Sequence, residues 1–215
     1  HAGQDRRLML VPATMLALAA APLDAPEGGT ASHVPHSHTH AREEIDEEHG
    51  PVLMQITYTG ELMGNGSGGL RRGTRYLDNL DIVLEADLEQ LAGWRGAQIH
   101  VYGLYNNGRS ISELAGDAHA VSNIETGVSA LRLYEAWIDQ KLGDRLSLRA
   151  GLYDLNSEFD SLEAAGLFVS SSHGIGTDFA QSGQNGPSIF PSTSLAARLQ
   201  VEPAEDWAIR AAVLD

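Results

Sequence analysis

The chain has 215 residues, 42% hydrophobic and 20% charged, which is too apolar a composition for a wholly disordered protein. Its 29 acidic residues against 14 basic ones give a formal charge of −15, which argues against nucleic acid as a partner, because phosphate binding needs a surplus of Lys and Arg. There is no cysteine, hence no disulfide, no thiolate nucleophile and no Cys-ligated metal. No window approaches the roughly 18 uninterrupted apolar residues of a spanning helix.

Arg6 and Arg7 precede an apolar stretch from Leu8 to Ala21 that ends in small residues. A basic start, a short apolar run and an Ala-rich exit are the marks of a secretory signal peptide, here assigned to residues 1–25 with cleavage between Ala19 and Ala25. Residues 26–50 are rich in Pro, Gly, Ser and His and carry the acidic run Glu43 to Glu48. Such a composition buries too little apolar surface to offset the entropy of ordering, so it reads as a disordered leader. Within it His33, His36, His38 and His40 are close enough to share a Zn²⁺ or Ni²⁺, with a solvated linker as the plainer reading.

After residue 50 the pattern becomes alternation. From Tyr76 to Leu88 one parity is mostly apolar, while the other runs Leu77, Asn79, Asp81, Val83, Glu85 and Asp87. Successive strand side chains point to opposite faces, so this is a strand with one greasy face. The same period appears at 97–105, 145–152, 195–202 and 207–213, and further strands are expected at about 54–62 and 130–142. Many approach the roughly 9–11 residues that cross a bilayer when tilted. Short connections at 91–93 and 142–144 contrast with long Gly/Ser/Asn-rich stretches at 106–129 and 154–191. Short turns at one end and long loops at the other fit an outer-membrane barrel better than a β-sandwich. Tyr76, Trp94, Tyr105 and Trp207 fall near strand ends, where interfacial aromatic belts sit. Residues 51–215 are therefore expected to be all-β, the N-terminal part of a transmembrane antiparallel barrel.

Four stretches carry a resemblance. Residues 87–96, Asp-Leu-Glu-Gln-Leu-Ala-Gly-Trp-Arg-Gly, are similar to the DLEKLxGWxG hairpin of the carbohydrate-selective porins, the OprB family. Leu133 to Trp137, Leu146 to Asp154 with Glu158-Phe159, and Phe190-Pro191 with Ser194 to Leu199 follow in that family's order. The resemblance implies a sugar-diffusion channel of about sixteen strands, of which this chain would hold seven to eight and stop before the barrel closes. It implies passage of mono- or oligosaccharides, contact with outer-membrane lipid in a Gram-negative bacterium, and no cofactor. A homo-oligomer and a monomer both stay open. The His-rich leader lies outside the shared pattern.

A diffusion channel needs a lumen that exchanges water's hydrogen bonds for its own without holding the solute tightly. The polar parity offers Glu85, Asp87, Gln98, His100, Arg149, Arg198 and Arg210 as pore-lining, sugar-contacting candidates. Enzyme readings fare worse. The Gly-rich 64–69 stretch has no Gly-Lys-Ser/Thr, and there is no HExxH. Asp154, Glu158 and Asp160 could imitate a glycosidase pair but read more simply as solvated turn residues or a loop cation site. Two further alternatives are a general, structural or adhesive barrel without sugar preference, and a periplasmic metal-binding leader on a barrel anchor.

Overall fold

The computed structural model describes residues 15–22 and 50–215, apart from Asn185. His33, His36, His38 and His40 lie outside the described residues, so their proposed metal-sharing finds no geometry here. The leader up to residue 49 and most of the export stretch fall outside them too.

Eight strands form one antiparallel sheet. They are β1 (Met15–Pro22), β2 (Val52–Asn65), β3 (Gly73–Asp87), β4 (Ala97–Asn107), β5 (Ser129–Lys141), β6 (Leu146–Tyr153), β7 (Ser194–Ala204) and β8 (Trp207–Leu214). From β2 to β8 every strand pairs with its sequence neighbour, an up-and-down meander, and β1 lies along the far side of β8. The seven strands after residue 50 are those expected, five from alternation and those near 54–62 and 130–142 without a clear facing, each extended by a residue or more at one or both ends or shifted by one. Strand β1 was not expected: it falls within the export stretch, whose Leu/Ala run has no alternating polarity to announce a strand.

One connection departs from the simple hairpin expected at 91–93. Leu88–Ala92 form a short helix, α1, because Asp87 accepts hydrogen bonds from the Glu89 and Gln90 backbone N–H groups. Gly93 ends it at φ 70°, a left-handed position that favours glycine. The connections after β5 and β7 are shorter still, whereas 108–128 and 154–193 are long and sit together at the other end, where the Asn123 N–H binds the Val169 carbonyl. Both carry single turns of helix, α2 (Ser112–Ala115) and α3 (Thr177–Ala180). No described helix is long and apolar enough to cross a membrane, which leaves a crossing by strands open.

The long loops decide which face is which. Leu155 and Phe159, just after β6, pack with Tyr153, Ala212 and Leu214 on the charged parity of the sheet. Ser122 of the other loop donates to Glu61 of β2 at 2.6 Å on that same face. The opposite face stays bare, and its side chains are Met54, Ile56, Leu84, Leu131, Leu133, Leu148, Leu195, Leu199 and Val213, all exposed. A continuous apolar surface of this kind has no place on a soluble monomer but suits hydrocarbon. Tyr76 and Tyr105 border that face at the long-loop end, and Trp94 and Trp207 stand exposed at the short-turn end. Two aromatic girdles thus flank the apolar band, the arrangement of a barrel wall. Asp78 is an outward exception, close to the long-loop end, and accepts a hydrogen bond from Tyr58 at 2.9 Å.

Candidate functional site

The inner face is organised as a lateral row at mid-height. In register, Glu85 of β3 stands beside His100 of β4, and His100 beside Trp137 of β5. One step away, Gln98 of β4 stands beside Asp139 of β5, Asp139 beside Arg149 of β6, and Arg149 beside Arg198 of β7. Arg210 of β8 stands beside Gln200 of β7. A groove of about 270 Å³ runs over this row, lined among others by Glu85, Glu135, Trp137, Glu158, Gln200 and Arg210.

Two arginines placed directly across from each other would repel, yet Arg149 and Arg198 are only 5% and 1% exposed. Asp139 lies between them: its Oδ2 accepts from Arg149 Nε at 3.0 Å and from Arg198 Nη2 at 2.8 Å. Glu158, delivered from the loop after β6, takes the rest. Arg198 donates to both its oxygens, Nε to Oε2 at 2.8 Å and Nη2 to Oε1 at 3.0 Å. Arg149 Nη1 lies 3.7 Å and Arg210 Nε 3.9 Å from Glu158 Oε1, and the Tyr153 hydroxyl donates to Oε2 at 2.6 Å. Burial alone would push the Glu158 carboxyl up. The guanidinium groups of Arg149 and Arg198, with help from Tyr153 and Arg210, outweigh it and hold the carboxyl below its ordinary value.

Trp137 joins this cluster to a second one. His100 stacks on its ring at 4.6 Å between centroids, and the Arg149 guanidinium lies 3.6 Å from its ring centroid. The two come from the strands on either side of β5, so the indole is packed between them. His100 Nδ1 is 2.9 Å from Glu85 Oε1, and its Nε2 is 3.6 Å from Glu135 Oε2. Glu135 reaches this side because the ladder slips between Tyr102 and Gly103, which turns both Tyr134 and Glu135 inward. The Trp137 ring also depends on Gly151 across from it: a Cβ there would come within 2.2 Å of the Ala136 carbonyl and 2.6 Å of Trp137 Cα.

Of the seven sequence candidates, the structure gathers His100, Arg149, Arg198, Arg210 and Glu85 into one row, with Gln98 beside it. Asp87 stands apart, occupied with capping α1. His100, Arg149 and Arg198 are enclosed, whereas Glu85 and Arg210 keep partial exposure. The sequence reading missed Glu135, Trp137, Asp139 and Glu158. The available signal for Asp139 was its parity with Trp137 in a strand whose facing the bulge obscures. The reading of Asp154 and Glu158 as solvated turn residues needs correction. Asp154 is 1% exposed, accepts from Tyr134 at 2.7 Å and from the Asn156 N–H, and is pushed up to about 7 by burial and by the Glu135 charge. Asp160 alone behaves as a turn residue, with φ 53° and the Gly176 N–H bound to its carboxylate. Among the described residues no group of three or more His, Asp or Glu could hold a metal ion.

The wall with an apolar outside, a charged inside and inward-folded loops is matched by known proteins. The family model "Carbohydrate-selective porin, OprB family" matches residues 71–215. The solved structure of Pseudomonas putida OprB, determined at high pH, superposes with a TM-score of 0.59 at 22% identity and covers 72% of this chain. The chain spans 38% of that porin's length, and at this identity the likeness speaks for the fold. No curated protein matches the chain. The family is one of channels, with no reaction to catalyse. With two thirds of its length matched by the family model and a fold that superposes on a solved member, the chain belongs to the carbohydrate-selective porins of the OprB family.

Proposed function

We propose that this chain forms part of the wall of an outer-membrane channel through which sugars diffuse passively. The observation that supports it most is the division of one sheet into an apolar outer band and an inner row of paired charges over which a long loop folds. Hydrocarbon accepts the first face, and a hydrated solute path explains the second. Along that path Glu85, Gln200 and Arg210 keep polar atoms at the groove surface and are the groups that trade hydrogen bonds with sugar hydroxyls. His100, Arg149 and Arg198 act from beneath, fixing the row. Such a surface offers many moderate contacts and no enclosed pocket, which suits transit better than retention.

Export through a signal peptide at residues 1–25, whose removal takes β1 from the sheet and leaves β2 to β8 in the mature chain, a leader over 26–50, and contact of the outer band with outer-membrane lipid complete the reading. N-terminal sequencing of the mature protein tests the export step, since a start before Ala19 is incompatible with it. Liposome swelling with the full-length gene product tests the channel. Glucose should enter proteoliposomes faster than a disaccharide does. Equal, background rates for every sugar would leave a structural or adhesive barrel as the better description.

A further inference from the structure

The three arginines of the row would by themselves make an anion trap. Guanidinium groups on three neighbouring strands, close enough to bind one carboxylate, form the planar donor arrangement that captures carboxylates and phosphates. In this chain that place is taken. Glu158 receives the two-pronged contact of Arg198, sits within 4 Å of Arg149 and Arg210, and is held there by the Tyr153 hydroxyl. Its backbone is fixed as well, because Leu155 and Phe159 on either side of it are buried against Tyr153, Ala212 and Leu214. Asp139 serves only Arg149 and Arg198, so Glu158 is the one carboxylate within ion-pair distance of Arg210 among the described residues.

We propose that Glu158 is a specificity-determining residue: a built-in carboxylate that occupies the arginine cluster of the inner wall and so favours uncharged sugars over sugar acids and sugar phosphates. This rests on the channel reading and adds the charge class of the solute to it. An anionic sugar entering the groove meets guanidinium groups already engaged by a tethered carboxylate, which leaves the three arginines one positive charge in excess over Asp139 and Glu158. A neutral sugar has no need of the cluster's ion-pairing capacity and uses the polar atoms that Glu85, Gln200 and Arg210 keep at the groove surface. Without the Glu158 charge, Arg149, Arg198 and Arg210 would keep Asp139 as their ion-pair partner, and the excess of positive charge within this cluster would rise from one to two.

The experiment uses the full-length channel and its Glu158→Gln variant, which keeps the size and one acceptor of the side chain. In planar bilayers under a KCl gradient, the reversal potential of the variant should move toward chloride, with the chloride-to-potassium permeability ratio rising several-fold. In swelling assays the rate for gluconate relative to glucose should rise in parallel. Adding Arg210→Gln to the variant should return both ratios toward wild type. Arg210→Gln alone should move the reversal potential toward potassium, which keeps the idea testable if Glu158→Gln folds poorly. Unmoved ratios in folded variants overturn the proposal, including the case in which all solutes speed up together because the loop has come loose. The potassium and chloride measurement involves no sugar, so a channel that passes no glucose would sink the sugar reading while leaving this charge assignment separately testable.

Discussion

The two faces of strand β7 obey different rules. Leu195, Leu199 and Val201 point outward into the apolar band, and Ser194, Arg198 and Gln200 point inward. Outside, any apolar side chain of ordinary size satisfies hydrocarbon, because the requirement is collective and non-directional. Inside, Arg198 is tolerable only because Asp139, two strands away, and Glu158, in a loop, both come within 3.0 Å of it. One face tolerates exchange of like for like, and the other depends on named partners. Substitutions on the two faces should therefore fail in different ways.

The largest effect is expected inside. Asp139→Ala removes the shared acceptor of two enclosed guanidinium groups and leaves buried charge without its counter-charge, at a cost of about 3–5 kcal/mol. Urea unfolding of the full-length protein in vesicles, followed by tryptophan emission, reads it. A loss below about 1 kcal/mol would mean that Glu158 and water carry both arginines without Asp139. Outside, Leu199→Arg places a charge on the lipid face and should cost about 2–4 kcal/mol near the bilayer midplane. Leu199→Ile at the same site should be almost silent. If the arginine variant unfolds like wild type, Leu199 does not face hydrocarbon and the division of the two faces fails.

The same difference explains what was legible in the sequence. Alternation announces a face whenever the demand is statistical, so five of the seven strands after residue 50, the short and long connections and the aromatic girdles could be read from period and composition, while β2 and β5 could be placed but not faced. Pairing within the inner face is not periodic. Asp139 meets Arg149 because two strands are in register, and Glu158 meets Arg198 across 40 residues of chain. A bulge at Tyr102 and Gly103 shifts the parity of β5 part-way along, so Glu135 and Trp137 carry no consistent alternation to betray them. Arginines on the polar parity could be found one by one. Their carboxylate partners could not, since nothing local distinguishes an ion-pairing Glu158 from a loop glutamate in water.

A smaller effect should test how far the row depends on backbone fit rather than charge. Gly151 has φ 141° and lies across from Trp137, with no room for a Cβ against the Ala136 carbonyl. Gly151→Ala should cost about 1–3 kcal/mol through backbone strain and displaced packing. It should also loosen the indole from between His100 and Arg149, seen as a red shift and increased quenching of tryptophan emission. Lost stability without any spectral change would place the strain in the backbone alone and free Trp137 from dependence on Gly151.

The smallest effect near neutral pH, and the finest comparison, lies within one short segment at the loop root. Asp154 and Glu158 are four positions apart, yet their environments push them in opposite directions. Burial and the Glu135 charge raise Asp154 from 3.8 to about 7, so in the folded state it keeps a proton that the unfolded chain has released. Its contribution to stability is therefore complete below about pH 4 and is lost as pH rises through about 7. Glu158 behaves conversely: held low by arginine, its contribution is present above the unfolded value and is lost as pH falls through the folded one. Asp154→Asn removes the alkaline limb but also one acceptor, since Asp154 takes the Tyr134 hydroxyl on one oxygen and the Asn156 N–H on the other. The variant should thus be less stable than wild type at acidic pH and close that gap as pH rises past about 7, where the wild-type carboxylate becomes charged beside Glu135. Parallel unfolding midpoints for the two proteins from about pH 5 to about pH 9 would show that Asp154 titrates like an ordinary surface carboxylate. In that case the enclosed Tyr134–Asp154 contact opens readily, and the loop that carries Glu158 to its arginines is anchored without it, through buried Leu155 and Phe159 and the Leu155 N–H bound to the Ser188 carbonyl.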